Sequence, residues 1–294
     1  VFDALLPWYS LHRRDLPMRA EGVSPWATLV FEVMSQQTPI PRVQPVWERW
    51  MERWPTPADL AGASRADVLV AWDRLGYPSR ALRLQQCAAA IAARPGGRVP
   101  ADLEELLALP GIGPYTASAV SSFAYHRRVP VLDTNVRRVL ARTLEGVEFA
   151  PASAPSRPER ARAEALLPTD GAAAADWNVA LMELGALVCT QRAPHCGECP
   201  LAEGCHWLAD GCPPAEVRPR GQAWSGTDRQ ARGRVMALLR GAHTAGRTVT
   251  REEALAAATL PGADTAQAGR VLDALLTDGL VAADPADGGL RLPH

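Results

Sequence analysis

No lysine occurs among the 294 residues, so all 31 basic side chains are arginine. Nucleotide bias in a source genome can produce such a composition. The chemical exclusion stands either way, because without a side-chain amine no step can pass through a lysine Schiff base. Apolar runs approaching the roughly 20 residues of a membrane helix are also missing. Net charge is scarce, with 31 basic against 32 acidic residues leaving −1. That balance excludes a uniformly basic coat and confines any nucleic-acid grip to local patches. Arg13-Arg14, Arg127-Arg128 and Arg137-Arg138 are candidates, although such pairs are also ordinary solvated surface. The first residues, Val1 to Ala4, lack the basic n-region of a secretory signal, so the expectation is a cytoplasmic protein.

The cysteines are few but not scattered. Cys189, Cys196, Cys199 and Cys205 are spaced C-x6-C-x2-C-x5-C, with Pro200 after the third. Four thiols in so short a stretch of a cytoplasmic chain point to metal ligation rather than disulfides. A [4Fe–4S] cluster and zinc both accept four sulfur ligands, and the long first gap fits zinc less well. Cys87 lies in an apolar run and reads as a small core residue, while Cys212 receives no role.

Apolar residues recur at helical spacing through Trp26–Gln36, Val43–Trp54, Ala66–Trp72, Arg80–Ala93, Leu103–Leu109 and Ala175–Val188. Val129–Leu132 reads as extended, and the Pro/Ser/Ala-rich stretch Pro151–Pro158 as a surface loop. The expected class is all-α, with a main body over 1–211 and a Pro/Gly/Arg-rich linker over 212–227. A small module follows over 228–294, with helices at Arg229–Leu239, Arg251–Ala258 and Ala266–Thr277. Gly279–Ala282 and Gly289–Leu292 can pair as a hairpin, giving a winged-helix-like unit suited to DNA or to protein contact.

The most informative stretch runs from Leu109 to Asn135. Leu109-Pro110-Gly111-Ile112-Gly113-Pro114-Tyr115 places two glycines ahead of a helix start, and Asp133 follows at the mouth of the next helix. Converging backbone N–H groups there suit an anion such as a phosphate. A tight interhelical turn followed by an aspartate N-cap is the plain alternative.

In their order from Leu16 to Cys205, these motifs resemble the helix-hairpin-helix DNA glycosylases of the endonuclease III superfamily, and within them the MutY-type adenine glycosylases. Leu109–Tyr115 resembles the LPGxG hairpin, Val131–Val136 the catalytic aspartate segment, Glu32–Thr38 the EVMLQQT signature, and the cysteine spacing the [4Fe–4S] loop. The resemblance implies a two-lobed fold, with a six-helix lobe over about 22–130 and an iron–sulfur lobe formed by 1–21 and 131–211. It implies a monomeric, nucleoid-associated enzyme of base excision repair that acts on double-stranded DNA carrying a mismatch or an oxidised base. Adenine opposite 8-oxoguanine or guanine would be hydrolysed off.

Residue by residue, Glu32 would be the acid on the base side and Asp133 the carboxylate facing the sugar cation. The plain reading of Glu32 is an exposed helical carboxylate. Tyr115 stands where lyase-type relatives carry lysine, which implies a monofunctional glycosylase. Asn135, Asn178 and Glu183 match positions near the catalytic site, with Asn178 expected to help hold Asp133 and Glu183 to position water or Tyr115. Gln36 and Gln37 would fill or line the space beside a flipped base. Gly111 and Gly113 would grip phosphate through backbone N–H groups, with Arg19, Tyr77, Arg80 and Arg137 as further DNA contacts and Arg192 near the backbone. Met18 and Ser35 would line the base pocket, where the family has Trp and Leu; Pro78 replaces an aromatic, and about 70 C-terminal residues stand in place of a NUDIX-like domain. These departures keep two alternatives open: excision of thymine, uracil or a damaged purine, and a non-catalytic DNA-binding role.

Overall fold

The computed structural model describes residues 2–216, 224–284 and 288–294. Part of the expected linker, 217–223, and the tip of the expected hairpin, 285–287, lie outside the described residues. Helices dominate. In chain order they are α1 Leu5–His12, α2 Pro25–Ser35, α3 Ile40–Arg53, α4 Pro57–Ala61, α5 Arg65–Ala71, α6 Ser79–Ala92, α7 Leu103–Leu107 and α8 Pro114–Tyr125. They continue with α9 Thr134–Leu140, α10 Arg157–Leu166, α11 Gly171–Leu187, α12 His206–Ala209, α13 Asp228–Thr244, α14 Arg251–Ala258 and α15 Gln267–Thr277. Among the described residues, no helix is long and apolar enough to cross a membrane.

The chain divides into two compact units. The first comprises Val1–Glu32, Val99–Ala108 and Ile112–Arg220. Its core is the packing of α11 on α1 and α9, with Leu5, Trp8, Val136, Val139, Leu181 and Leu184 buried together. Helix α11 is apolar almost all round, which suits a helix enclosed by others. Two glycines let its neighbours close in: a Cβ at Gly171 would lie 2.0 Å from the His126 carbonyl oxygen, and one at Gly185 would lie 2.7 Å from the Asn135 Cβ. After α9 the chain widens into a five-residue π turn, Ala141–Glu145, that sequence periodicity does not reveal. Val129–Leu132, expected to be extended, forms no strand among the described residues. Helix α10 begins inside the expected 151–158 loop, because Ser156 and Glu159 form a reciprocal capping box.

The second unit comprises Val33–Arg98, Leu109–Gly111 and Gly221–His294. Its tryptophans pack edge to face, Trp50 against Trp54 at 4.8 Å and against Trp72 at 5.5 Å. Helices α13, α14 and α15 pack on one another and are followed by two antiparallel strands, β1 Ala282–Ala283 and β2 Leu290–Arg291, with Val249 bridging to Leu290. Pairing starts later than the expected Gly279. Leu280 and Val281 fold back under α15, both donating to the Leu275 carbonyl, so they are buried rather than free to pair.

Candidate active site

Glu32 lies on α2 and is 5% exposed, so it is not the solvated carboxylate of the plain reading. The Tyr115 hydroxyl, from the first turn of α8, donates to its Oε2 at 2.8 Å. Burial pushes the Glu32 carboxyl up to about 7; Asp133 adds to the rise, while the Tyr115 bond and the Arg19 charge oppose it. Tyr115 is lifted well above the ordinary phenol value by burial and by the two carboxyls.

Asp133 is the N-cap of α9. Its Oδ1 accepts from the Val136 N–H at 2.7 Å and its Oδ2 from Asn135 Nδ2 at 2.9 Å. Burial raises its pKa in spite of those donors. Asn135 is held in turn, since Arg138 Nη2 donates to Asn135 Oδ1 at 2.9 Å and to the Gly185 carbonyl at 2.7 Å. Arg138 Nε donates to the Cys189 carbonyl at 2.9 Å. A continuous run of hydrogen bonds therefore joins the cysteine loop to Asp133. Sequence reasoning finds Arg138 only as half of a candidate basic patch and does not single out Gly185, because a helical glycine carries no distinguishing signal.

Asn178 and Glu183, both fully buried on α11, are placed differently from expectation. Asn178 does not reach Asp133. Its Oδ1 accepts from the Val131 N–H at 3.1 Å, and its Nδ2 donates to the Val129 carbonyl at 2.9 Å and to Ser122 Oγ at 3.1 Å, which braces the extended segment leading to Asp133. Glu183 is not turned to Tyr115 either. It takes Arg14 Nε at 2.6 Å and Arg19 Nη2 at 2.9 Å. Burial alone would raise the Glu183 carboxyl, but the hydrogen bonds and charges of Arg14 and Arg19 bring it down to about 2. Met18 is buried on the short turn just before Arg19. Arg137 is occupied by Glu159 at 2.5 Å and by the carbonyls of Ser153 and Pro151, so it is bound within the protein.

The four clustered cysteines line one pocket, together with Arg142, Leu184, Val188 and Trp207. Among the described residues no group of three or more His, Cys, Asp or Glu side chains stands as a ready site for a metal ion. Burial raises Cys199 to about 11 and also raises Cys196. Arg142, 1% exposed, donates to Cys189 Sγ at 3.3 Å and lies over the Trp207 ring at 4.4 Å. Four soft sulfur donors with a buried cation beside them are of the kind that an iron–sulfur cluster or a zinc ion takes.

In the second unit, α2 ends at Ser35. Gln36 is half-buried, and Gln37 is exposed in a left-handed backbone conformation (φ 55°). Arg80, expected on DNA, is turned inward: it donates to the carbonyls of Val33 at 2.9 Å and Gln36 at 2.7 Å, and to those of Leu75 and Gly76. It thereby caps the C-terminus of α2, where a cation is favoured. Tyr77 has φ 47° and is 38% exposed, and its hydroxyl accepts from Arg229 Nη1 at 3.1 Å. Gly111 has φ +76°, and a Cβ there would press on the Arg83 Cβ at 3.0 Å, so this turn demands glycine. Gly113 is the N-cap of α8, whose first-turn N–H groups have no carbonyl to receive them inside the helix.

Comparison with known proteins gives the family. The family described as "HhH-GPD superfamily base excision DNA repair protein" matches residues 30–151. An adenine DNA glycosylase of Mycobacterium tuberculosis is 54% identical over 291 residues, covering 98% of this chain and 92% of the relative. Its counterpart from Mycolicibacterium smegmatis is 51% identical over 288 residues, covering 98% and 94%. Among solved structures, a thermostable thymine-DNA glycosylase superposes with a TM-score of 0.65 at 26% identity, covering 70% of this chain and 94% of the other.

Two stability predictions follow from the site. The Glu32 carboxyl, raised in the folded state from 4.5 to about 7, favours folding most below pH 4.5 and loses that contribution as pH climbs to 7. Glu32→Gln is therefore expected to be more stable than the parent at pH 8, by roughly 3 kcal/mol relative to their difference at pH 4.5. Urea unfolding at the two pH values measures it. Gly185→Ala should cost about 2–3 kcal/mol in the same assay, because the new methyl must drive α11 from Asn135.

Proposed function

Because the chain belongs to the adenine DNA glycosylases of the HhH-GPD superfamily, we propose that it removes adenine mispaired with 8-oxoguanine or guanine and leaves an abasic site. Adenine is a poor leaving group until a ring nitrogen takes a proton. The observation that carries the reading is the buried Glu32 carboxyl, hydrogen-bonded to Tyr115 and brought to about 7, which keeps a transferable proton near neutral pH. As the glycosidic bond breaks, the sugar becomes cationic. Asp133, with Val136 and Asn135 donating to its two oxygens, supplies the compensating negative charge. Asn178 sets the approach of that segment, and Glu183 fixes Arg14 and Arg19. Met18 and Ser35 shape the base pocket.

DNA is held by the backbone N–H groups of Gly111 and Gly113 at the α8 hairpin, while Gln36 and Gln37 occupy the space beside the extruded base. Without any lysine, the strand is not cut through a Schiff base. Cys189, Cys196, Cys199 and Cys205 would hold a [4Fe–4S] cluster as its four sulfur ligands, and the Cys189 carbonyl accepts from Arg138 at 2.9 Å. Residues 228–294 form a winged-helix-like module, with α13, α14 and α15 followed by the β1–β2 pair.

A gel assay with a panel of duplexes tests the substrate. Alkali-dependent breaks at A:8-oxoguanine and A:G are expected. Breaks confined to T:G or U:G would favour the reading that Ser35 and the thymine-DNA glycosylase likeness motivate. Single-turnover adenine release should fall about tenfold per pH unit above 7 as Glu32 loses its proton. Asp133→Asn should lose about 10²–10³-fold without loss of duplex binding. Iron analysis should give about four irons per chain, with Cys199→Ser losing them; one zinc per chain would overturn the cluster assignment.

A further inference from the structure

The arginines of the C-terminal module are largely engaged within it. Arg232 pairs with Asp278, Arg247 with Glu253, Arg251 with Asp273, Arg270 with Asp264 and Arg291 with Asp284. Arg229, at the start of α13, reaches out of the module. Its guanidinium lies 4.9 Å over the Trp224 ring and 5.9 Å over Tyr77, and it donates to the Tyr77 hydroxyl at 3.1 Å. The other face of the arrangement is Arg80, 5.6 Å over Tyr77 and 5.3 Å over Trp72. Five side chains thus alternate aromatic, cation, aromatic, cation, aromatic, an order in which each contact is attractive.

What Arg80 does with its nitrogens gives the stack its meaning. It binds the Val33 and Gln36 carbonyls, so it terminates α2 immediately before the turn that carries Gln36 and Gln37. Between the two cations the chain from Asp73 to Tyr77 is held in unusual backbone states, with φ 49° at Asp73, 80° at Gly76 and 47° at Tyr77. Left-handed conformations at a non-glycine pair persist where surroundings over-determine them. Here the surroundings include Trp72, whose indole N–H donates to the Gly76 carbonyl at 2.9 Å. The module grips a second point as well, where Arg65 on α5 donates to the Gly279 carbonyl at 3.3 Å.

We propose that the stack of Trp224, Arg229, Tyr77, Arg80 and Trp72 makes the C-terminal module a positioning device for the end of α2, setting how well Gln36 and Gln37 take up the space vacated by an extruded base. The proposal rests on the role given above to Gln36 and Gln37. Arg229 is a positioning residue in it, acting through Tyr77 and Arg80.

The test uses the full chain and three variants, Arg229→Ala, Arg229→Lys and Tyr77→Leu. Amide hydrogen exchange over residues 34–38 should quicken about tenfold in Arg229→Ala and in Tyr77→Leu, since each breaks the stack at one contact. In Arg229→Ala, adenine release at saturating enzyme should slow by about tenfold while duplex affinity stays within about twofold, because the phosphate grip is elsewhere. Arg229→Lys keeps a cation without the planar face and should restore part of the protection. Unchanged exchange at 34–38 in both stack-breaking variants would overturn the proposal, as would weakened duplex binding with an unaltered release rate. The exchange readout needs no activity, so a parent protein that releases no adenine would defeat the glycosylase reading while leaving the coupling itself to be decided by exchange.

Discussion

Helix α11 carries an asparagine and a glutamate, both 0% exposed, into the core. A buried polar group must find partners within the protein or cost several kcal/mol. The partners available to α11 are the elements that bear the chemistry. Asn178 takes the backbone of 129–131 and so fixes the entry to Asp133, while Glu183 gathers Arg14 and Arg19 from the N-terminal segment. Two residues further on, the missing side chain at Gly185 lets Asn135 approach, and the Gly185 carbonyl receives Arg138. The helix then runs into Cys189. A single enclosed helix therefore dictates where the aspartate, its supporting amide and the thiol loop stand.

The two carboxyls of the site differ in how their surroundings treat charge. Glu32 has a phenol as its neighbour and sits near the midpoint of its titration at neutral pH, whereas Asp133 has a helix N-terminus and an amide aimed at its two oxygens. Burial raises both. The difference lies in the donors, of which Asp133 has two of fixed geometry. The preference for a neutral Glu32 is also a destabilising feature of the folded chain above neutral pH, the usual cost of holding an acid where solvation is poor.

Much of the fold and part of the site could be read locally. Helix positions followed from periodicity, the thiol loop from spacing, and the cap at Asp133 from its place before Thr134. Pairings across long sequence separations could not. Arg14 and Glu183 are 169 positions apart, and nothing near either announces the other. Arginines were the least legible class: Arg80 and Arg137 look like surface cations in sequence, yet both spend their donors on internal acceptors. A long side chain with five donors is placed by the acceptors that tertiary packing brings near it, which local sequence does not encode. The late start of β1 has a similar cause, because burial of Leu280 and Val281 is decided by α15 rather than by strand propensity.

The π turn at Ala141–Glu145 makes this part of the chain intolerant of length change. The turn itself holds the buried Arg142, which faces the thiols, and Arg138, which faces Asn135, stands in the helical turn just before it. Each residue of an α-helix rotates the chain by about 100°, so removing Ala141 would carry Arg142 around the axis by roughly that angle relative to Arg138. The loss would then be one of phase rather than of composition: both arginines would be retained and the cation would still point away from the sulfurs. Substitution tolerance and deletion tolerance should therefore diverge sharply where α9 passes into this turn.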